Sequence, residues 1–81
     1  MPVKLTYDPR RNIAYLRFHE KTAEVETIQV SDVLNVDIAP DGTIYGIELL
    51  NANEQLGGDD GGQLVVVNEA AGKTDNIALE I

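Results

Sequence analysis

His19 is the one side chain in this sequence whose unperturbed pKa lies near neutrality, so general acid or base chemistry would have to begin there. It has no nucleophile to serve: the chain contains no cysteine, Ser31 is its only serine, and no nucleophile-base pair with a local signature can be assembled. Flanked by Glu20 and Lys21, His19 reads as an exposed loop histidine. Asp37 and Glu48 are the other polar groups to which a small ligand or an enzymatic role would fall. Asp59-Asp60, set between glycine pairs, invites a calcium reading, because hard cations collect several carboxylate oxygens. The spacing is wrong for it, since a calcium loop spreads its acids over alternate positions; the segment reads as a solvated linker. Tyr7 and Tyr15, with Lys4 and Arg17 nearby, would make an aromatic and basic platform for single-stranded nucleic acid, but cross-strand packing explains such tyrosines as well. The residue types thus define no catalytic, cofactor-binding or metal-ligating set, and the expectation is a protein that is not an enzyme.

The elements that would hold these groups are strands. Residues 33–50 carry two apolar-alternating segments joined through Pro40-Asp41-Gly42, the clearest local signal in the chain. Pro40 presets φ near −65°, Asp41 can bond its own backbone, and Gly42 accepts a left-handed conformation. Alternation breaks between Ile44 and Ile47 around Gly46, where a bulge or a close backbone approach is expected. Upstream, Val3, Leu5 and Tyr7 alternate with polar residues, Asp8-Pro9-Arg10-Arg11-Asn12 forms a turn with a left-handed exit at Asn12, and residues 13–18 return. Residues 24–30 form a weaker, edge-like strand whose acids Glu24 and Glu26 discourage stray pairing. Asn51 followed by Glu54 has capping-box spacing for one helical turn through Leu56.

Four glycines in residues 57–62 mark a linker. Beyond it, residues 64–67 and 77–81 are apolar and strand-like, forming either a third hairpin or separate added strands, with Asn68 to Gly72 as a turn or a single helical turn. The division is a core over 1–56, a linker over 57–62, and a strand extension over 63–81 belonging to the same single domain. The expected core is Leu5, Leu16, Phe18, Leu34, Val36, Ile38, Ile44, Ile47 and Leu49, with the tail strands completing the sheet within the chain or across a dimer.

Size and charge narrow the partners. A domain of 81 residues buries only about 60% of the surface its unfolded chain exposes, and without disulfides or a metal cluster, self-association is the remaining support. A homodimer is therefore expected. No window approaches the roughly 20 apolar residues of a membrane span and no secretory signal is apparent, so the expected location is the cytoplasm. The net charge of −8 is uneven: residues 1–21 hold five basic side chains against two acids, while residues 22–81 hold Lys73 against twelve acids. Such a chain is repelled by phosphate backbones and anionic lipid, and its charge reads either as a solubilising surface or as a complement to a basic protein partner.

Lys4-Leu-Thr-Tyr-Asp-Pro9, Ala14-Tyr-Leu-Arg-Phe18 and, most specifically, Asp41-Gly-Thr-Ile-Tyr-Gly-Ile-Glu-Leu-Leu-Asn-Ala52 resemble the YuzE-like family of small bacterial and archaeal proteins, domain of unknown function 2283. The resemblance spans about residues 3 to 56. It implies a compact, mainly β domain with no assigned activity and no catalytic residues to transfer. Some relatives are thought to lie beside genes for small toxin-like proteins, which implies an antitoxin or partner-binding role. The stretch after Leu56 departs from the family pattern.

These readings together predict a mainly β protein, α+β at most, built from antiparallel hairpins with one short helical turn and C-terminal strands open to exchange in a dimer. The expected function is that of a non-enzymatic interaction module, the antitoxin-like partner of a basic protein. A small-ligand binder or enzyme using a dimer cleft is the alternative. Nucleic-acid binding by the basic first hairpin is the weaker one.

Overall fold

Alternation and turn chemistry produce four hairpin pairings among the described residues. The computed structural model of the chain describes residues 2–57 and 61–80; the Asp59-Asp60 pair lies outside them. β1 (Lys4–Asp8) and β2 (Ile13–Arg17) pair antiparallel around the expected turn. The Asp8 carboxylate accepts the Arg10 N–H at 3.0 Å, and Asn12 takes the left-handed exit at φ 61°. β3 (Glu26–Ser31), β4 (Leu34–Ile38) and β5 (Ile44–Leu50) follow. The turn between the last two is as expected: Gly42 has φ 90° and the Asp41 carboxylate accepts the Thr43 N–H at 2.9 Å. The five strands make one antiparallel sheet in the order β1-β2-β5-β4-β3, so the family-like motif in β5 runs through its centre.

Register divides the residues between two faces. Leu5 opposes Leu16, Leu16 opposes Ile47, Ile47 opposes Val36 and Val36 opposes Ile28, while Tyr7, Ala14, Leu49 and Leu34 form a parallel row. This face is apolar. The opposite face carries Lys4, Thr6, Tyr15, Arg17, Glu48, Asn35, Asp37, Thr27 and Gln29. Two bulges interrupt the pattern. Val30 is the extra residue between Gln29 and Ser31, and Tyr45 is the extra residue between Ile44 and Gly46. The carbonyl of Tyr45 accepts the N–H groups of Phe18 and His19, fastening the chain where it leaves β2.

Helix α1 (Ala52–Leu56) is the expected short turn, but its cap comes from elsewhere. Asn51 makes no side-chain cap and instead bonds Glu54 at 2.9 Å, with its own backbone left-handed at φ 56°. Asn12, at the far end of the first hairpin, supplies the cap: its side-chain oxygen accepts the Asn53 N–H at 2.7 Å and its carbonyl accepts the Ala52 N–H at 3.1 Å. The Tyr7 hydroxyl donates to the Asn53 side chain, which donates to the Pro9 carbonyl at 3.0 Å. Ala52 and Ala14, buried beside this knot, are the buried hydrophobic residues among the described ones.

β6 (Gln63–Asn68) and β7 (Lys73–Ala78) form a separate two-stranded hairpin. Asn68 to Gly72 is a turn, not a helix: Asn68 accepts the Ala71 N–H and Gly72 has φ 62°. The expectation that tail strands complete the sheet within the chain is therefore corrected. A locally closed hairpin satisfies its ladder at small loop-closure cost, and β6 has no pairing with either sheet edge. The expected core also needs correction. Leu5, Leu16, Leu34, Val36, Ile47 and Leu49 share the apolar face, but no large side chain among the described residues is fully buried. Ile44 is 38% exposed, because the bulge at Tyr45 leaves it on the last rung of the sheet with Ile38.

Replacing Asn12 tests the knot. Asn12→Gly keeps the left-handed backbone but removes two side-chain hydrogen bonds, and is expected to lower unfolding free energy by about 1–2 kcal/mol. Asn12→Ala adds the strain of a left-handed β-carbon, about 1 kcal/mol more. Urea denaturation of both variants reads the difference.

Candidate functional site

The polar face gathers its side chains around one carboxylate. Asp37, on β4, is 5% exposed, and a buried carboxylate is costly unless it is hydrogen-bonded or paired. Its partners come from three other segments. Thr27 of β3 donates its hydroxyl at 2.6 Å, the Tyr15 hydroxyl donates from β2, and the Lys21 ammonium lies 3.9 Å away. Tyr15 is two strands from Asp37, with β5 between them, and it reaches across because Gly46 offers no side chain in its path. A β-carbon at Gly46 would come within 2.7 Å of the Tyr15 ring. The expected irregularity near Gly46, a bulge or a close approach, is present as a bulge at Tyr45 together with the close approach of the Tyr15 ring to Gly46.

Around this pair, Arg17 stacks over the Tyr15 ring at 4.6 Å and donates to the His19 carbonyl at 3.2 Å, while Asn35 donates to Glu48 at 2.9 Å. Together with Lys21 and Thr27 these residues line a shallow hollow of about 140 Å³. Burial alone would raise the Asp37 carboxyl, but the hydrogen bonds from Thr27 and Tyr15 and the charges of Lys21 and Arg17 outweigh it and hold the group below its ordinary 3.8. Burial, the hydrogen bond to Asp37 and that carboxylate's charge push the Tyr15 phenol up from 10.0 to about 12. A charged acceptor and a neutral donor, each stabilised in that form by the other, make a strong clamp. Neither changes protonation near neutrality, where general acid-base catalysis works best.

Asp37 and Glu48, named from sequence, meet at this hollow; His19 does not join them. It is exposed at the exit from β2, its ring 5.0 Å from that of Tyr45. Tyr7 and Tyr15 fall on opposite faces of the first hairpin, so they do not build a shared stacking platform. The partnership of Tyr15 with Asp37 escaped sequence reasoning, although the break in alternation at Gly46 was its trace. Among the described residues no acidic or histidine cluster could hold a metal ion, no buried side-chain polar atom lacks a partner, and no helix is long and apolar enough to cross a membrane.

A family model described as a protein of unknown function, DUF2283, matches residues 4–53. The match takes in the whole five-stranded sheet and stops inside α1, leaving the C-terminal hairpin outside. No curated protein and no solved structure matches the chain.

The clamp predicts stability at both ends of the pH range. The folded-state pKa of Asp37 is depressed, so its contribution is full above 3.8 and is lost as pH falls through the lower folded value. That of Tyr15 is raised, so its contribution is full below 10.0 and is lost as pH rises toward about 12. Urea midpoints should fall less steeply in acid for Asp37→Asn, and less steeply in alkali for Tyr15→Phe, than for the unaltered chain. Gly46→Ala should cost about 2 kcal/mol by displacing Tyr15 from its charged acceptor, and close to nothing in a Tyr15→Ala background, as a double-mutant cycle would read.

Proposed function

The chain belongs to the DUF2283 family, and from that premise we propose that it is a non-enzymatic interaction module, an antitoxin-like protein that holds a basic protein partner along its acidic sheet edge. The observation that carries this reading is strand order. β1, which carries Lys4, and β3, which carries Glu26 with Glu24 and Asp32 flanking it, are the two outer strands of the sheet. All six residues of β3 are exposed, and Glu24, Glu26 and Asp32 lie along or beside it. An edge strand offers unpaired N–H and C=O groups to an incoming chain, and like charge turns away another copy of this edge while attracting a basic segment. The self-satisfied clamp on the polar face supports the same reading, since its polar groups are already engaged with one another.

The immobilised full chain, exposed to lysate of its source organism at low salt, is expected to retain a small basic protein that elutes in a salt step and is identified by mass spectrometry. Screening shortens from about 10 Å at 0.1 M to 3 Å at 1 M, which is why salt releases it. A variant carrying Glu24→Lys, Glu26→Lys and Asp32→Lys, folded by circular dichroism, should lose that protein. Equal retention by the variant, or no basic protein at low salt, overturns the reading.

A further inference from the structure

An isolated sheet of five strands has two faces, and here only the polar one is finished. The apolar face carries Leu5, Leu16, Ile47, Val36 and Ile28 in register, and Ile28 is 45% exposed. The C-terminal hairpin turns Leu64, Val66 and Ile77 toward Leu5 and Leu16 without closing on them. Between sheet and hairpin remain two apolar spaces of about 460 and 250 Å³. Val66 and Ile77 stay 53% and 54% exposed, and interiors packed to native density do not keep such voids.

Three whole-molecule quantities agree. The accessible surface is 5870 Å², whereas a folded monomer of 8.8 kDa exposes about 4,800 Å². The excess, about 1,000 Å² per chain, exceeds the roughly 800 Å² each partner contributes to a standard interface. The radius of gyration is 14.1 Å against about 12 Å for a compact chain of this length, and the thinnest dimension is 18 Å.

We propose that a second copy of this chain covers the apolar face, forming a two-fold dimer whose core is made from the two sheet faces with the C-terminal hairpins between them. The face matches its own kind: it is uncharged along its centre, so it offers a basic partner nothing, and a self-complementary patch closes after two copies. With no large side chain fully buried among the described residues, the covering partner must be present whenever the chain folds, and a second copy always is. The dimer is independent of the edge-binding reading, because the β3 edge stays open when the face is covered.

Sedimentation equilibrium on the full chain, over about a thousandfold range of concentration, tests this. The expected species has twice the 8.8 kDa chain mass. Ile28→Glu and Gln29→Glu add the same charge at neighbouring exposed positions on opposite faces. Ile28→Glu, and Val66→Glu on the hairpin, should each weaken the dimer at least about a hundredfold, while Gln29→Glu leaves it unchanged. Isotope-filtered NOE spectra of a mixed labelled and unlabelled dimer should connect methyl groups of Leu16 or Val36 to the partner, independently of any variant. A chain monomeric throughout, larger open assemblies, a dimer indifferent to Ile28→Glu, or the absence of intermolecular contacts from those methyls overturns the proposal.

Discussion

A carboxylate that is only 5% exposed sets the terms for the rest of this sheet. Asp37 keeps its charge because Thr27 on β3 and Tyr15 on β2 both donate to it, so three strands meet at one side chain. The fourth, β5, contributes by absence. Any residue with a β-carbon at position 46 would stand where the Tyr15 ring crosses. Removing a donor from a buried charge costs more than the hydrogen bond itself is worth, because the remaining group is left desolvated and unmatched. The arrangement therefore specifies strand order as well as adding stability: β5 must lie between β2 and β4 for the contact to form.

The same logic of distant polar partners fixes the helix. A five-residue helix has little stability of its own, since nucleation is unfavourable and few intrahelical bonds can form. α1 exists because Asn12 caps it and Tyr7 and Pro9 hold Asn53, all from the first hairpin. The result is a sheet locked on its polar face by the clamp and at one end by an asparagine knot. The clamp draws nothing from the apolar face and the knot takes Tyr7 from it, so most of that face remains open in the single chain while strand order and register are already defined.

An open apolar face, an outer strand flanked by acids and a hairpin outside the family match make three separate resources on a small chain. The face and hairpin are apolar, the edge is flanked by acids, and the polar hollow is committed to holding the sheet together. Hydrophobic burial would act at the first of these and screened charge at the second.

The sequence alone determined what depends on near neighbours. Pro40-Asp41-Gly42 and Asp8 with Asn12 act over a few residues through φ preferences and side-chain bonds to adjacent backbone, so those two hairpins and their left-handed positions were legible, while the turn ending at Gly72 stayed open against a helical one. The irregularity at Gly46 was legible as well, though not its purpose. Tertiary structure alone decided the strand order, the cap supplied by Asn12, and the Tyr15–Asp37 clamp, whose partners lie 22 residues apart. It also decided that the apolar alternation, read as a closed core, makes a single open face. Periodicity reports which side of a strand a residue occupies, but what lies over that side is set by chain segments too far along the sequence for any local preference to reach.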